Sequence, residues 1–319
     1  VSTFQNNKIL TTKYKGKVQY LNDKIKNKSH DGDTGIGHTR WATHGKPSDE
    51  NSHPHNSLSN KISLVHNGII ENHYTLKKYL IKQGYKFKSD TDTEVLVQLI
   101  DYFHKKQGGD FVQSVRIALH EVVGAYGIVV MFEDEPDKLI AARLGSPLII
   151  GIGDNEFFVA SDSSPIIEHT RNIVVLDEGE IAIISKDKYE IRKRETNDLV
   201  NKEIEKIEHS IDKIEKGDFD HFMLKEIYEQ PTSLLDSVRG RINFKNYDLH
   251  LGGLNDWIQR IKESEMVYIT ACGTSWHSAL IGSYLLEEVL NVPVKVEYAS
   301  ELRYREVPIN SKTAVMCLD

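Results

Sequence analysis

The sequence predicts two regions of different fold class. The first is an α+β region in which helices accompany antiparallel strands; the second is the beginning of an α/β region with a parallel sheet. Three observations carry this. Between residues 126 and 191, GIVVMFEDEPDKLIAARLG, SPLIIGIGDNEFFVASD and NIVVLDEGEIAIISKDKYEI are short apolar runs broken by turn residues, the texture of antiparallel pairs. Between residues 73 and 123 the apolar positions recur at helical spacing. After residue 256 a strand, a helix and another strand follow in order, which argues for parallel pairing.

Taken along the chain, residues 1 to about 60 read as polar and irregular, with SHPH at 52–55. KISLVHNG (61–68) reads as a short strand running into an Asn-Gly turn. In YTLKKYLIKQG, Leu76, Tyr79 and Leu80 share a helix face and Gly84 supplies the stop. TDTEVLVQLIDYFHKKQGG is a second helix, with Val95, Leu96, Leu99, Ile100 and Phe103 on one side and lysines at its C-terminal end. The run from Phe111 to Val123 is a third. Residues 193–217, rich in Lys and Glu, read as a helix-prone linker whose charge serves either a solvated face or a partner surface. EMVYITACG is then a strand, TSWHSALIGSYLLEEVL an amphipathic helix, and VPVKVEYAS and TAVMCL further strands. The expected division is residues 1–192, a helical linker over 193–255, and a second domain over 256–319.

Bulk properties narrow the function. A chain of 319 residues holds two ordinary domains, and 39% hydrophobic with 27% charged residues describes a soluble globular protein. The formal net charge of -7 disfavours a nucleic-acid surface, which needs a basic face, and leaves a small molecule as the default substrate. The longest apolar runs are far too short to span a membrane, and VSTFQNNK has no apolar signal core. Two cysteines, Cys272 and Cys317, cannot build a disulfide framework, so a reducing cytoplasm is expected. The start at Val1 and the stop just after TAVMCL suggest an interior portion of a longer protein.

Chemistry concentrates in HTRWATHG (38–45), VHNGIIEN (65–72) and SDTDTE (89–94). Arg40 carries a planar fork suited to a carboxylate, and Asp92 can pair with an ammonium. Held on one rim, the two would recognise both ends of an amino-acid zwitterion. Asn67-Gly68 offers a side-chain amide beside an unobstructed backbone N–H, the parts of an oxyanion hole, where one donor is worth about 10²–10³ in rate. Each piece also has a structural reading. Asn-Gly makes tight turns, Arg40 could be a surface ion pair, Asp92 sits where helix caps sit, and Trp41 could simply pack on the core.

A second constellation is ACGTSWHS, where a strand turns through Gly273 into a helix. Thr274 and Ser275 then place hydroxyls and N–H groups at a helix N-terminus, which favours phosphate, although both residues are also good caps. His277 reads as a structural polar residue. SHPH has no cysteine or carboxylate at ligand spacing, so no metal is expected, and GIGDNE reads as a hairpin turn because no helix opens after it.

HTRWATHGKP, SHPH, VHNGIIENH, SDTDTEV and GAYG, in this order, resemble the class II (N-terminal nucleophile) glutamine amidotransferase family. With KEIYEQP (225–231) and ACGTS (271–275) the resemblance narrows to its glutamine–fructose-6-phosphate aminotransferase branch and spans essentially the whole chain. It implies an α+β N-terminal-nucleophile amidotransferase sandwich followed by the first part of a sugar-isomerase (SIS) domain. The implied reaction makes glucosamine 6-phosphate and glutamate from fructose 6-phosphate and glutamine, with ammonia channelled between domains and no cofactor. Arg40 would bind the glutamine α-carboxylate, with Thr43 and His44 completing the pocket. Asp92 with the Gly68 backbone would hold the ammonium, and Asn67 and Gly68 would form the oxyanion hole. Trp41 would gate the ammonia passage, and Thr274 and Ser275 would take the sugar phosphate. Family members pair as homodimers through the SIS half.

The family's nucleophile is a cysteine at the first position of the mature protein, activated by its own α-amine, whose pKa is near 8. Here position 1 is Val1 and no cysteine precedes Cys272. The family's second phosphate loop and its isomerising glutamate, histidine and lysine are likewise not among these residues, so the 319 residues alone are expected to be inactive. Two other readings remain. One is a different class II amidotransferase, of the phosphoribosyl-pyrophosphate or asparagine-forming type, against which ACGTS counts. The other is a non-enzymatic module that binds glutamine or a sugar phosphate.

Overall fold

The computed structural model describes residues 1–26, 28, 30–40, 45–207, 219–238, 242–243, 248–249 and 257–318. The chain forms two compact units, Val1–Glu215 and Lys216–Asp319.

The first unit opens with more order than its polar sequence suggests. Strands β1 (Ser2–Gln5) and β2 (Lys8–Thr11) form an antiparallel hairpin. The two residues between them, Asn6 and Asn7, have φ of 50° and 59°, the left-handed pair that a tight hairpin turn needs. Four-residue strands with an Asn-Asn turn leave too short an alternation to stand out. Helix α1 (Val18–Ile25) follows, and β3 (Gly35–Ile36) joins the edge of β1.

A seven-stranded antiparallel sheet forms the centre. It is built from β4 (His55–Asn56), β5 (Ile62–Ile70), β6 (Gly124–Phe132), β7 (Lys138–Leu144), β11 (Glu180–Ser185), β12 (Tyr189–Lys193) and β13 (Leu199–Val200). Their order is β13-β12-β11-β7-β6-β5-β4. A four-stranded sheet holds β8 (Ile149–Ile152), β9 (Phe157–Ala160), β10 (Asn172–Val175) and β14 (Glu205–Lys206), in the order β14-β10-β8-β9. The first two predicted pairs exist, as β6–β7 and β8–β9. NIVVLDEGEIAIISKDKYEI is not one pair, because β10 joins β8 in the smaller sheet while β11 pairs with β7 and β12 in the larger. An apolar alternation fits either partner, so the split is invisible locally.

Strand β6 shows why these are layers. Tyr126, Ile128, Val130 and Phe132 belong to the core beneath the helices, while the alternate residues Val129 and Met131 belong to the core shared with the smaller sheet. Helices α2 (His73–Lys82), α3 (Asp92–Gln107) and α4 (Phe111–His120) cover the first of these faces. The predicted faces of α3 hold, and every residue from Asp92 to Asp101 is buried because α3 lies between the sheet and its neighbouring helices. In α2, Leu76 and Leu80 are buried but Tyr79 is not; its hydroxyl instead hydrogen-bonds that of Tyr102 at 2.6 Å. A polar tip lets a tyrosine sit at the edge of a face that leucines must bury.

The segment 193–255, expected to be helical, contributes β13 and β14 to the two sheets before helix α5 (Phe222–Val238), which carries Pro231 internally. Strands β15 (Ile242–Asn243) and β16 (Asp248–Leu249) then pair with each other.

In the second unit, α6 (Ile258–Lys262) precedes β17 (Met266–Ala271), α7 (Gly273–Leu290), β18 (Val294–Tyr298), α8 (Ala299–Leu302) and β19 (Thr313–Cys317). The order β18-β17-β19 with parallel pairing throughout realises the predicted parallel sheet. Val267, Ile269, Ala279 and Val294 form its core. Cys272 and Cys317, expected in apolar surroundings, are both exposed. Among the described residues no helix is long and apolar enough to cross a membrane.

Candidate functional site

A cavity of about 260 Å³ opens in the first unit, lined among others by Arg40, Asn67, Gly68 and Asp92. The fold thus brings together four predicted residues from three distant stretches of sequence. Trp41, Thr43 and His44 lie outside the described residues, and Thr274 and Ser275 belong to the second unit.

Asp92 opens helix α3 but does not cap it. The cap is Thr91, whose side chain accepts from the Glu94 N–H. Freed from that task, the Asp92 carboxylate accepts from the Ile70 N–H at 2.8 Å through Oδ2 and from the Thr93 N–H at 3.0 Å through Oδ1. It is 4% exposed, and the helix N-terminus behind it favours its negative charge. The loop before it is pinned by Glu94, whose carboxylate accepts from the N–H groups of Lys88 and Ser89 at 2.9 and 2.6 Å. A carboxylate this well held is a preorganised partner for a cation.

Asn67-Gly68 is not a turn. Strand β5 runs straight through it, with Asn67 opposite Gly127 and Gly68 opposite Tyr126. Gly68 has φ of 135°, and a Cβ there would stand 2.2 Å from the Ala125 carbonyl oxygen. Only glycine permits this close approach and backbone angle. The turn reading therefore fails, because a glycine that distorts a strand looks locally the same as one that ends it. The Asn67 side chain is exposed beside the cavity.

Arg40 has φ of 41°, unusual for a long side chain, and its N–H donates to His38 Nδ1 at 2.9 Å while Nη2 donates to the Gly45 carbonyl at 3.1 Å. Burial pushes the guanidinium down from its ordinary value, and the charge of Asp92 acts the other way. A cationic fork and a carboxylate sharing one small cavity suit a zwitterion.

SHPH and the His38 and His66 segments were distinct in the sequence, but their gathering around one site was not. His38 stacks on His53, their ring centroids 4.5 Å apart, and His53 meets His55 edge-on at 5.1 Å. Burial pushes His38 down to about 4, with His66 and Arg40 acting in the same direction. Burial likewise drives His53 and His55 far down. Among the described residues no three His, Cys, Asp or Glu side chains are placed to hold a metal ion.

A neutral, half-buried His38 makes stability depend on pH. Protonation near 6.5 in the unfolded chain but only near 4 in the fold means that the unfolded state binds more protons between those values. The His38 contribution is therefore complete above pH 6.5 and is lost as pH falls towards 4. The urea midpoint should drop between about pH 7.5 and about pH 5, and drop less in His38→Asn, which keeps an acceptor for the Arg40 N–H. Equal drops in the two proteins would acquit His38.

In the second unit, α7 starts at Gly273, whose φ is 56°, and its N-cap is Cys272, which makes no side-chain cap hydrogen bond. Thr274 and Ser275 thus stand in the first turn and are not its caps. Thr274 is exposed, Ser275 is half-buried, and Trp276 stacks on Tyr298 at 4.4 Å.

These features agree with comparisons to known proteins. A profile of the Glutamine amidotransferase domain family matches residues 22–228. The chain belongs to that family. It is 51% identical over 285 residues to the glutamine–fructose-6-phosphate aminotransferase (isomerizing) of Chlorobaculum tepidum, covering 89% of this chain and 46% of the relative. It is 46% identical over 314 residues to the enzyme of the same name from Bacteroides thetaiotaomicron, covering 98% and 51%. The chain spans about half the length of the curated relatives it matches. A solved structure of glutamine phosphoribosylpyrophosphate amidotransferase from B. subtilis superposes with a TM-score of 0.50 over 97% of this chain and 64% of its own; at 22% identity it shows a shared fold.

Proposed function

We propose that the first unit binds glutamine for an isomerising glutamine–fructose-6-phosphate aminotransferase, which makes glucosamine 6-phosphate and glutamate. The observation that carries this is the meeting of Arg40, Asp92 and Asn67-Gly68 around one cavity in a chain of the glutamine amidotransferase family. Arg40 grips the α-carboxylate and Asp92 the α-ammonium. The amide groups of Asn67 and Gly68 stabilise the oxyanion that forms when a thiolate attacks the side-chain amide. By resemblance to the family, Thr43 and His44 would complete the glutamine pocket and Trp41 would gate the passage of ammonia. Thr274 and Ser275, at the uncapped start of α7, receive the sugar phosphate, helped by the helix N-terminus.

Neither Cys272 nor Cys317 matches the family's nucleophile, since neither has the free α-amine that activates it. The 319 residues therefore bind glutamine without hydrolysing it. The enzyme works in the cytoplasm as a homodimer on small molecules, without nucleic acid, membrane or cofactor. The relatives' names favour this reading over a phosphoribosylpyrophosphate enzyme, for which the fold is the sole support.

Calorimetric titration with L-glutamate, the product, tests the site. The chain should bind it saturably, and Arg40→Ala should bind at least about tenfold more weakly, the loss of a charge-assisted fork. Equal affinities would make Arg40 a structural residue, and no binding by the unaltered chain would end the glutamine reading.

A further inference from the structure

SHPH (52–55) lies a short way after Arg40 in the sequence, and the proposed function assigns it no task. The structure places its two histidines on either side of Asp92. His53 Nε2 lies 3.2 Å from Thr93 Oγ1, and His55 Nε2 lies 3.0 Å from Thr91 Oγ1. Alternate residues of His53-Pro54-His55 thus meet alternate residues of Thr91-Asp92-Thr93. The two rungs straddle the carboxylate.

One rung continues into a ring of donors and acceptors. The His66 backbone N–H donates to His53 Nδ1 at 3.3 Å, so a neutral His53 must carry its proton on Nε2 and donate it to Thr93 Oγ1. His66 Nε2 faces the Ala125 carbonyl at 3.4 Å, and a carbonyl only accepts, so the proton of a neutral His66 is on Nε2 as well. His66 Nδ1 lies 3.0 Å from Thr93 Oγ1, and the Thr93 hydroxyl also lies 3.5 Å from Asp92 Oδ1. The ring closes as His53 to Thr93, Thr93 to His66, and the His66 backbone to His53. All three side chains are buried, with at most 7% exposure.

The ring touches both halves of the clamp. Thr93 also donates its backbone N–H to Asp92 Oδ1, and His66 Nδ1 is 3.9 Å from Asp92 Oδ2. The Ala125 carbonyl that His66 holds is the one against which Gly68 is packed. Moving any member would shift the ammonium partner and the oxyanion-hole backbone together.

We propose that His53, His55 and His66, linked through Thr91 and Thr93, are positioning residues that aim the Asp92 carboxylate and the Gly68 peptide into the glutamine pocket. This rests on the glutamine reading above. It gives SHPH a role that needs no metal: imidazoles serve as rigid links between strand and helix. A hydroxyl at position 93 joins the two rings and also reaches Asp92 Oδ1 at 3.5 Å.

Two measurements on the 319-residue chain test this. With ¹⁵N-labelled histidine, His53 should show a protonated Nε2 and an unprotonated Nδ1 at neutral pH, and His66 should show a protonated Nε2. A His53 with its proton on Nδ1, or a His66 without one on Nε2, overturns the proposal, and this readout needs neither a variant nor a ligand. Thr93→Val should bind L-glutamate about tenfold more weakly with its fold retained, and Thr93→Ser should restore most of the loss. Unchanged affinity in a folded Thr93→Val overturns the positioning role while leaving the glutamine reading intact. Absence of binding by the unaltered chain overturns the glutamine reading, and with it the pocket these residues are said to aim into.

Discussion

Gly68→Ala is expected to destabilise the first unit by ~3 kcal/mol or more and to abolish L-glutamate binding. Two costs combine. At φ of 135° an alanine is strained whatever its surroundings, and its Cβ would meet the Ala125 carbonyl oxygen at 2.2 Å. That oxygen is backbone in the middle of β6, so relief requires moving one strand away from the other. Strand β5 pairs with β6 along all nine of its residues, from Ile62 to Ile70, and separation at Gly68 strains the ladder on both sides. For a unit of this size the loss corresponds to a fall in unfolding temperature of roughly 6–12 °C. Calorimetric melting measures it directly. A midpoint equal to that of the unaltered chain would mean that β5 and β6 do not approach as closely as described.

Asp92→Asn should weaken L-glutamate binding by on the order of 10²-fold or more, while costing the fold far less than Gly68→Ala. The substitution keeps the shape and removes the charge. It strips a buried ammonium of its counter-ion, the costly half of breaking a buried ion pair. It also weakens the anchorage of α3, because two N–H donors, those of Ile70 and Thr93, point at the carboxylate and an amide offers one oxygen. A stability loss of about 1–2 kcal/mol is expected from that second effect. Denaturant titration beside calorimetry separates the two. Binding within twofold of the unaltered chain would show that the ammonium is held elsewhere.

That Asp92 and Arg40 line one cavity was expected from side-chain chemistry that any conformation preserves, a planar cation and a carboxylate suited to the two ends of an amino acid. The roles of Gly68 and Thr91 were legible only in part. A glycine after asparagine is compatible with a turn and with a distorted strand, and what decides is the backbone of β6, some 57 positions further on. Likewise TDT contains two acceptable caps, and the fold chose Thr91 because the Ile70 N–H claims the neighbouring carboxylate. The ring of His53, Thr93 and His66 falls in SHPH, VHNGIIEN and SDTDTE, but nothing local shows that these three side chains meet. Its members come from three segments, and each alone is an ordinary polar residue.

Patterns of period and residue type in the sequence were enough to establish that antiparallel layers with helices precede a parallel sheet, and which residues could clamp an amino acid. Short-range periodicity and functional-group chemistry survive without knowledge of what lies opposite. Which strands pair, which threonine caps and which histidines stay neutral were decided only by the tertiary structure. Those outcomes depend on burial and on partners distant in the chain, and Asp92 is the clearest case: its charge is written at one position, but its carboxylate is held by the N–H groups of Ile70 and Thr93.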